Sequence, residues 1–281
     1  MVNCDSVQVY RYFNIGTAKI SEAERQGIPH HLIDALEPDE VFTAGDFSRV
    51  GRGILREVAA RGRLPLVAGG TGFYLRALIT GLAPGPQRDE NLRTRLGLRE
   101  QKRTGSLHKL LRRFDPVTAT RIHANDVPKV IRGLEICLAA GKPATEVFSR
   151  GRDALEGFRV VKLGLFPDRE ELYRRLETRL DLMFAGGLLE EVKAILERGF
   201  PRTCRAFESI GYKQALQVLQ GELSLKEAIF YAKRDTRQYA KRQMTWFRQE
   251  PGMEFLRGFG SDREVLRQAE ERVAALGGPQ S

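Results

Sequence analysis

The sequence predicts an open α/β fold into which a helical segment is inserted. Residues 64–70 form a short apolar run that ends in glycines and is followed by a helical pattern, a succession typical of α/β sheets. Residues 86–157 carry many charges in a helical pattern without a convincing strand, and strand character returns at residues 159–166. We therefore predict a core formed by residues 1–85 and 158–281, with residues 86–157 as an all-helical insertion.

The first part of the core is predicted from local signals. Residues 1–5 have the pattern of the end of a strand. Residues 41–61 are predicted to form a helix, because Thr43 and Asp46 have the spacing of a capping pair. Residues 30–34 start with two histidines at an expected strand start. Side chains of adjacent strand residues point to opposite faces, so we assign no zinc site to this pair.

Caps and glycines predict the helices of the second part of the core. A helix is expected directly after the strand at residues 159–166, and a long helix is expected to end near residue 249. The end of the chain from Leu276 is expected to be frayed. The boundary signals are the cap pair Asp168 and Glu171, the stop residues Gly199 and Gly221, and the capping box of Ser224 and Glu227.

The composition indicates a soluble globular protein with a basic surface. Hydrophobic residues make up 42% and charged residues 29%, and 46 Lys and Arg against 36 Asp and Glu give a net charge of +10. This excess favours a polyanionic or phosphate-bearing partner, although an Arg-rich proteome would give the same balance. No run approaches a membrane span, and no signal peptide is evident. The scattered Cys4, Cys137 and Cys204 indicate neither disulfides nor zinc, so a reducing cytoplasm is predicted.

Asp5 and Ser6 stand at the predicted carboxyl end of the first strand. In open α/β sheets this edge faces the ligand crevice, so a carboxylate there can act as a general base or orient a metal ion. It can equally cap the loop that follows. Position alone leaves all three roles open.

The turn Gly69-Gly-Thr-Gly72 separates a predicted strand from a predicted helix. Such a turn can present free backbone N–H groups beside a helix N-terminus and so bind an anion. Glycines serve tight turns as well, and the motif by itself is weak.

Arg179 falls at the edge of the apolar face of its predicted helix, between Leu172 and Leu182. A cation in this position requires an anionic partner or costs stability. A bound phosphate, an ion pair with a core carboxylate and a side chain that extends outward to solvent all satisfy the pattern.

Two stretches of the chain are rich in basic residues. Lys233, Arg237 and Lys241 repeat at four-residue spacing and share one helix face, which can follow a phosphodiester backbone. Such a run is more often a solvated face. The segment from Arg121 to Arg132, in the predicted insertion, is similarly basic and polar.

Several short motifs follow one another along the chain. They are Asp5-Ser-Val-Gln8-Val-Tyr10, Ile15-Gly-Thr-Ala-Lys19, His30-His-Leu-Ile-Asp34, Ala44-Gly-Asp-Phe47, Gly69-Gly-Thr-Gly-Phe-Tyr74, Arg121-Ile-His-Ala-Asn-Asp126, Ile210-Gly-Tyr212, and Thr236-Arg-Gln-Tyr-Ala-Lys-Arg-Gln243 followed by Thr245-Trp246. Their order and spacing resemble the tRNA dimethylallyltransferase family from residue 1 to about residue 250. Any one motif is weak evidence, and the set together is specific.

The resemblance implies a fold and a reaction. The fold would be a P-loop-kinase-like parallel sheet core with an inserted all-helical domain that grips the tRNA anticodon stem-loop. The enzyme would transfer a dimethylallyl group from dimethylallyl diphosphate to N6 of the adenosine on the 3′ side of the anticodon, giving N6-isopentenyladenosine. Mg²⁺ would assist the diphosphate, and the acceptor base would have to leave its stack. A monomer is expected.

The resemblance also implies roles for individual residues. Asp5 would be the catalytic base, which is chemically sensible because a neutral amine is a poor nucleophile. Arg179 would hold the diphosphate. The residues expected to bind tRNA are Asp5, Ser6, Val7, Gln8, Thr71, Arg93, Pro128, Lys129, Val130, Ile131, Arg132, Glu208, Ser209, Ile210, Gly211, Tyr212 and Lys213.

One feature of the family has no counterpart in the sequence. Family members begin about two dozen residues earlier, with a strand and a G-x-T-x-x-G-K-[ST] loop whose amides and lysine hold the diphosphate. No such loop occurs in this chain. We therefore expect the chain as written to be impaired or inactive and poorly stable, and a start codon assigned too late is the simplest reason.

Two other functions share many of these features. An adenylate isopentenyltransferase acting on free nucleotides has the same core motifs, but the helical segment at residues 86–157 favours a tRNA acceptor. A non-catalytic tRNA-binding remnant would keep the basic surface and bind tRNA with a steep salt dependence, without turnover.

Overall fold

The computed structural model describes residues 1–83, 85–149 and 151–275, which form a mixed α/β structure that is mostly helical. The chain divides into two compact units. The first, which we call the core unit, comprises Met1–Leu78 and Gly157–Ser281, and the second, the insertion unit, comprises Ile79–Glu156. The predicted end of the chain from Leu276 lies outside the described residues.

The helices follow the predicted order closely. They are α1 Ala44–Ala60, α2 Gly72–Thr80, α3 Glu90–Lys102, α4 Ser106–Phe114, α5 Pro116–Arg121, α6 Val127–Ala140, α7 Ala144–Phe148, α8 Arg169–Ala185, α9 Leu188–Glu197, α10 Tyr212–Leu219, α11 Leu225–Arg248 and α12 Arg263–Ala274.

The predicted helix caps are confirmed. Thr43 and Asp46 form a reciprocal capping box at the start of α1, and Ser224 forms another at the start of α11. The Asp168 carboxylate accepts from the first backbone N–H groups of α8. Gly199, with a φ of 93°, follows the end of α9 in the left-handed region that favours glycine. These boundaries were predictable because a cap is a contact between residues a few positions apart.

Two parallel two-stranded sheets lie in the core unit. Strand β1 (Val2–Asn3) pairs with β2 (Val67–Ala68), and β3 (Lys162–Leu165) pairs with β4 (Met253–Leu256). The strands are shorter than the apolar runs from which they were predicted, because a segment becomes a strand only where another segment pairs with it.

Residues 30–34 do not form the strand expected there. His31 makes a single bridge to Val2, and the backbone then turns through left-handed conformations at Leu32 and Asp34, with φ of 63° and 53°. Such values interrupt an extended chain. The Asp34 carboxylate accepts a 2.7 Å hydrogen bond from the buried Lys19 ammonium group, which ties this segment to the loop before it.

Each unit has its own apolar core. In the core unit, Phe13 is fully buried, with its ring centroid 5.1 Å from that of Phe207 and 4.7 Å from that of Tyr212. In the insertion unit, fully buried Leu107 and Leu134 lie in a separate cluster contributed by α3 to α7. A separate core for each unit supports the division of the chain into two.

Candidate functional site

Asp5 lies in a tight turn directly after β1. Its Oδ1 accepts hydrogen bonds from the backbone N–H groups of Val7 at 2.7 Å and Gln8 at 3.1 Å. The carboxylate therefore caps this turn, one of the three roles that position alone left open. Within the described part of the chain, Oδ2 of Asp5 has no hydrogen-bond partner. One oxygen is thus held by two backbone donors, and the other is unpartnered in that part of the chain.

The Asp5 turn is joined to the glycine-containing turn at residues 69–72. The backbone N–H of Ser6 donates to Thr71 Oγ1 at 3.2 Å, and the backbone N–H of Thr71 donates to the carbonyl oxygen of Cys4 at 3.2 Å. The fold therefore brings Thr71 to Asp5 and Ser6, although 65 residues separate Thr71 from Ser6 in the sequence. Burial, with the nearby Asp5 charge, raises the pKa of the Cys4 thiol to about 12.

A hollow of about 230 Å³ lies beside this turn. Its lining includes Asn3, Asp5, Gln8, His30, Ala68 and Gly69. The Gln8 side chain donates a hydrogen bond from Nε2 to the carbonyl oxygen of Thr17 at 3.0 Å, which fixes its orientation. Val7, by contrast, packs against the apolar core of the unit.

The glycines at residues 69–72 allow close packing. A Cβ atom would lie 2.3 Å from the Cys4 carbonyl oxygen at Gly69, 2.3 Å from Gln243 Nε2 at Gly70, and 2.2 Å from Trp246 Nε1 at Gly72. Gln243 Nε2 also donates to the carbonyl oxygen of Gly70 at 2.8 Å. Close packing against Cys4 at Gly69, and against α11 at Gly70 and Gly72, accounts for the glycines, so a tight turn is favoured over an anion site.

Arg179 lies on α8 with an exposed side chain and, in residues 1–83, 85–149 and 151–275, forms no ion pair with a carboxylate. The predicted alternative of pairing with a core carboxylate is therefore wrong. Although the side chain reaches solvent, desolvation by the surrounding protein lowers the pKa of the guanidinium group, and the negative charge of Asp5 acts against this shift. Arg179 and Asp5 are thus electrostatically coupled.

Tyr239 belongs to the same region and was not singled out from the sequence. Desolvation raises the pKa of its hydroxyl, with the Asp5 charge contributing, while the nearby Gln243 side chain acts against this shift. Tyr239 precedes Gln243 by four residues, so both lie on one face of α11. This helical spacing within a quoted motif was the signal that could have identified Tyr239.

Residues 208–213 combine exposed and buried positions. Glu208 and Lys213 are exposed, whereas Gly211 and Tyr212 are buried, and Tyr212 has no exposed surface. Ser209 and Ile210 are half-buried. Side chains available to a macromolecular partner are therefore at the two ends of this stretch.

The predicted RNA-binding residues of the insertion unit fall into two groups. Pro128 and Lys129 are exposed at the start of α6, Ile131 is half-buried, and Val130 is buried. Arg93 instead donates two hydrogen bonds of 2.9 Å to the fully buried carboxylate of Glu135, which Arg132 also contacts. The charges of Arg93 and Arg132 are therefore engaged by a buried carboxylate, whereas Lys129 pairs with Asp126 at the exposed surface.

The model of a known protein family matches residues 8–250, and this family is described as IPP transferase. The chain belongs to the IPP transferase family. A protein named tRNA dimethylallyltransferase from Solibacter usitatus (strain Ellin6076) is 60% identical over 274 residues, which cover 98% of this chain and 89% of that protein. The tRNA dimethylallyltransferase of Koribacter versatilis (strain Ellin345) is 50% identical over 270 residues, covering 96% and 88%.

Solved structures agree with this membership of the IPP transferase family. A structure of a eukaryotic dimethylallyltransferase acting on tRNA matches with a TM-score of 0.82 at 28% identity, covering 100% of this chain and 74% of that one. The tRNA isopentenylpyrophosphate transferase of Bacillus halodurans matches with a TM-score of 0.69 at 37% identity, covering 98% and 87%. These matches confirm the predicted family of transferases and the mixed α/β fold. The expectation of a missing phosphate-binding loop stays a prediction.

The basic helix face of this IPP transferase family member is largely paired within the protein. Lys233 on α11 donates to Asp181 at 2.7 Å, and Arg237 donates to Glu177 at 3.0 Å, both carboxylates lying on α8. Two of the three cations at four-residue spacing therefore bind a neighbouring helix, and only Lys241 of that set lacks an ion pair in the described part of the chain.

The described residues contain no group of three His, Cys, Asp or Glu side chains that could hold a metal ion. A helix long and apolar enough to cross a membrane is also absent from residues 1–83, 85–149 and 151–275. The cysteines Cys4, Cys137 and Cys204 are free and buried.

Proposed function

We propose that this member of the IPP transferase family transfers a dimethylallyl group from dimethylallyl diphosphate to N6 of the adenosine on the 3′ side of the anticodon in tRNA. The product is N6-isopentenyladenosine. Relatives with the name tRNA dimethylallyltransferase, at 60% and 50% identity over nearly the whole chain, support this reaction. The observation that carries the chemistry is the Asp5 carboxylate, with one oxygen fixed and one unpartnered, beside a hollow.

In the proposed reaction the acceptor nitrogen attacks the allylic carbon of the diphosphate ester. The new C–N bond forms, the C–O bond to the diphosphate breaks, and Asp5 Oδ2 accepts the proton released from N6. Because Val7 and Gln8 donate to Oδ1, the carboxylate is held in one orientation before the substrate binds.

Arg179 is proposed to neutralise charge on the leaving diphosphate. Its guanidinium group is electrostatically coupled to Asp5 and forms no ion pair with a described carboxylate, so its charge remains available to a phosphate ligand. Mg²⁺ is proposed to accompany the diphosphate, since it commonly binds substrate phosphates with one or two carboxylates and needs no all-protein cage. The two parallel sheets are proposed to belong to a P-loop-kinase-like core.

Apart from the Asp5 turn, which meets the acceptor adenosine, we assign direct contact with tRNA to the exposed members of the predicted set. These are Pro128 and Lys129 in the insertion unit, and Glu208 and Lys213 in the core unit. The fully buried Tyr212 is assigned a supporting role. A monomeric protein acting in the cytoplasm completes this proposal.

The role of Asp5 is tested by Asp5→Asn, with the exposed Asp39→Asn as the matched control. We expect Asp5→Asn to lower kcat for prenyl transfer to an anticodon stem-loop by about 10²- to 10⁴-fold, because the amide does not accept the proton. The Kd for the stem-loop should stay within about twofold of the wild-type value. The substitution changes one charge among many on the surface and hardly changes the size of the side chain. An unchanged kcat would exclude Asp5 as the base.

The acceptor is tested by comparing AMP with the anticodon stem-loop under the same conditions. We expect prenyl transfer to the stem-loop and little transfer to AMP. The reverse preference would favour an adenylate isopentenyltransferase. Stem-loop binding without transfer to either acceptor would favour a non-catalytic RNA-binding protein.

A further inference from the structure

Glu191, on α9, binds a loop of the core unit through both carboxylate oxygens. The backbone N–H groups of Asn14 and Ile15 donate to it at distances between 2.9 and 3.2 Å. The hydroxyl of Tyr212 donates to the same carboxylate. Glu191 is half-buried and has no basic partner within the described residues. Its charge is thus balanced by three donors on two other segments.

Tyr212 fixes the next residue of the same loop. Its hydroxyl oxygen accepts a 3.0 Å hydrogen bond from the backbone N–H of Gly16, and a Cβ atom on Gly16 would lie only 2.4 Å from the Tyr212 ring. Burial, with the nearby Glu191 charge, raises the pKa of the Tyr212 hydroxyl, which therefore stays protonated and donates to Glu191. Three consecutive backbone N–H groups, at residues 14–16, are held by two side chains.

The held loop contacts the proposed active site directly. The carbonyl oxygen of Thr17 accepts the hydrogen bond from Gln8 Nε2 at 3.0 Å. The backbone N–H of Gln8 in turn donates to Asp5 Oδ1 at 3.1 Å. A continuous series of hydrogen bonds and one short loop therefore connects Glu191 to the Asp5 turn.

We propose that Glu191 is a positioning residue: together with Tyr212 it holds residues 14–17 so that Gln8 and the Asp5 carboxylate meet the acceptor adenosine in one fixed arrangement. This inference rests on the proposed function. It assigns Tyr212 to the support of the adenosine pocket, through its hydroxyl and ring, in place of direct contact with RNA.

The test uses Glu191→Gln and Tyr212→Phe in the full chain, with Glu190→Gln as the matched control. Glu190 is the adjacent residue on α9, is exposed, and forms no hydrogen bond or ion pair with the described residues. Glu191→Gln replaces one acceptor oxygen by an NH₂ donor, and Tyr212→Phe removes one hydroxyl. We expect each to raise the KM for the stem-loop about tenfold, as for one lost charge-assisted hydrogen bond, while the KM for dimethylallyl diphosphate changes less than about twofold.

A second readout reports on the loop without needing turnover. Amide hydrogen exchange at residues 14–16 should become about tenfold faster in Glu191→Gln and stay unchanged in Glu190→Gln, with the insertion unit unaffected in both. A protein without any prenyl transfer would contradict the proposed function, and the exchange rates would still decide the role of Glu191. Unchanged exchange at residues 14–16 would overturn the positioning role. So would a fall in kcat that matches the fraction of unfolded protein, with both KM values unchanged.

Discussion

Glu135 forms ion pairs with two arginines of the insertion unit that were predicted to contact tRNA. Arg93 and Arg132 were expected to bind RNA, and both instead reach this carboxylate, which has no exposed surface. Burial alone would raise the pKa of Glu135, but hydrogen bonds from the two guanidinium groups hold it at about 2. Arg132 precedes Glu135 by 3 residues, so this pairing could be suspected from helical spacing. Arg93 lies 42 residues before Glu135, so its pairing could not.

Folding stability should depend on pH through Glu135. The folded pKa of about 2 lies below the ordinary value of 4.5, so the carboxylate stabilises the folded protein above about pH 4.5 and this contribution is lost as the pH falls towards 2. In urea unfolding at pH 7, the free energy of unfolding of the wild type should exceed that of Glu135→Gln by about 3 kcal/mol. This difference should shrink towards pH 2. A difference that does not vary with pH would contradict this account.

Among the elements, helices were predicted more completely than strands. Caps such as Thr43 with Asp46 act over three residues, so the sequence contains the whole signal. A strand depends on its partner: of the apolar run at residues 64–70, only Val67–Ala68 pairs, with β1 more than sixty residues away. The same limit applies to the site, because Thr71 reaches Ser6, and Tyr212 reaches Gly16, only in the folded chain.

Helix α1 contains two glycines whose surroundings predict opposite effects of an added methyl group. At Gly53 a Cβ atom would have no neighbour within 4 Å, whereas at Gly51 it would lie 3.0 Å from Leu78 Cδ1. Gly53→Ala should therefore raise the free energy of unfolding by about 0.5–1 kcal/mol, through helix propensity. Gly51→Ala should gain less or lose stability, because Leu78 must move. Thermal unfolding of the two variants measures this, and a larger gain at Gly51 would refute it.

For the whole molecule, the positive charge is unevenly distributed and partly neutralised. The insertion unit, residues 79–156, has 15 Lys and Arg against 9 Asp and Glu, a net charge of +6 out of the chain's +10. In the core unit, Lys233 and Arg237 are paired with acidic residues of α8. The overall charge was readable from the sequence, but which cations remain available for RNA depended on tertiary contacts.

Binding of an anticodon stem-loop should weaken steeply with salt. Neutralising about three phosphates predicts a loss of affinity of about twenty- to fortyfold between 50 and 200 mM KCl, because counterions are released on binding. Lys129→Ala should make the slope of log K against log salt shallower by about 0.7, since one phosphate contact is lost. The exposed Lys193→Ala is the control and should leave the slope unchanged. Equal slopes for wild type and Lys129→Ala would remove Lys129 from the RNA interface.

The burial of Cys4, Cys137 and Cys204 has a practical consequence. Maleimide reagents attack accessible thiolates, and burial holds the pKa of the Cys4 thiol near 12. In the native protein the natural thiols should therefore stay largely unlabelled. A single cysteine introduced on the surface of each unit would then accept a dye without first removing the native ones, and the separation of the two dyes could be followed by energy transfer as RNA binds.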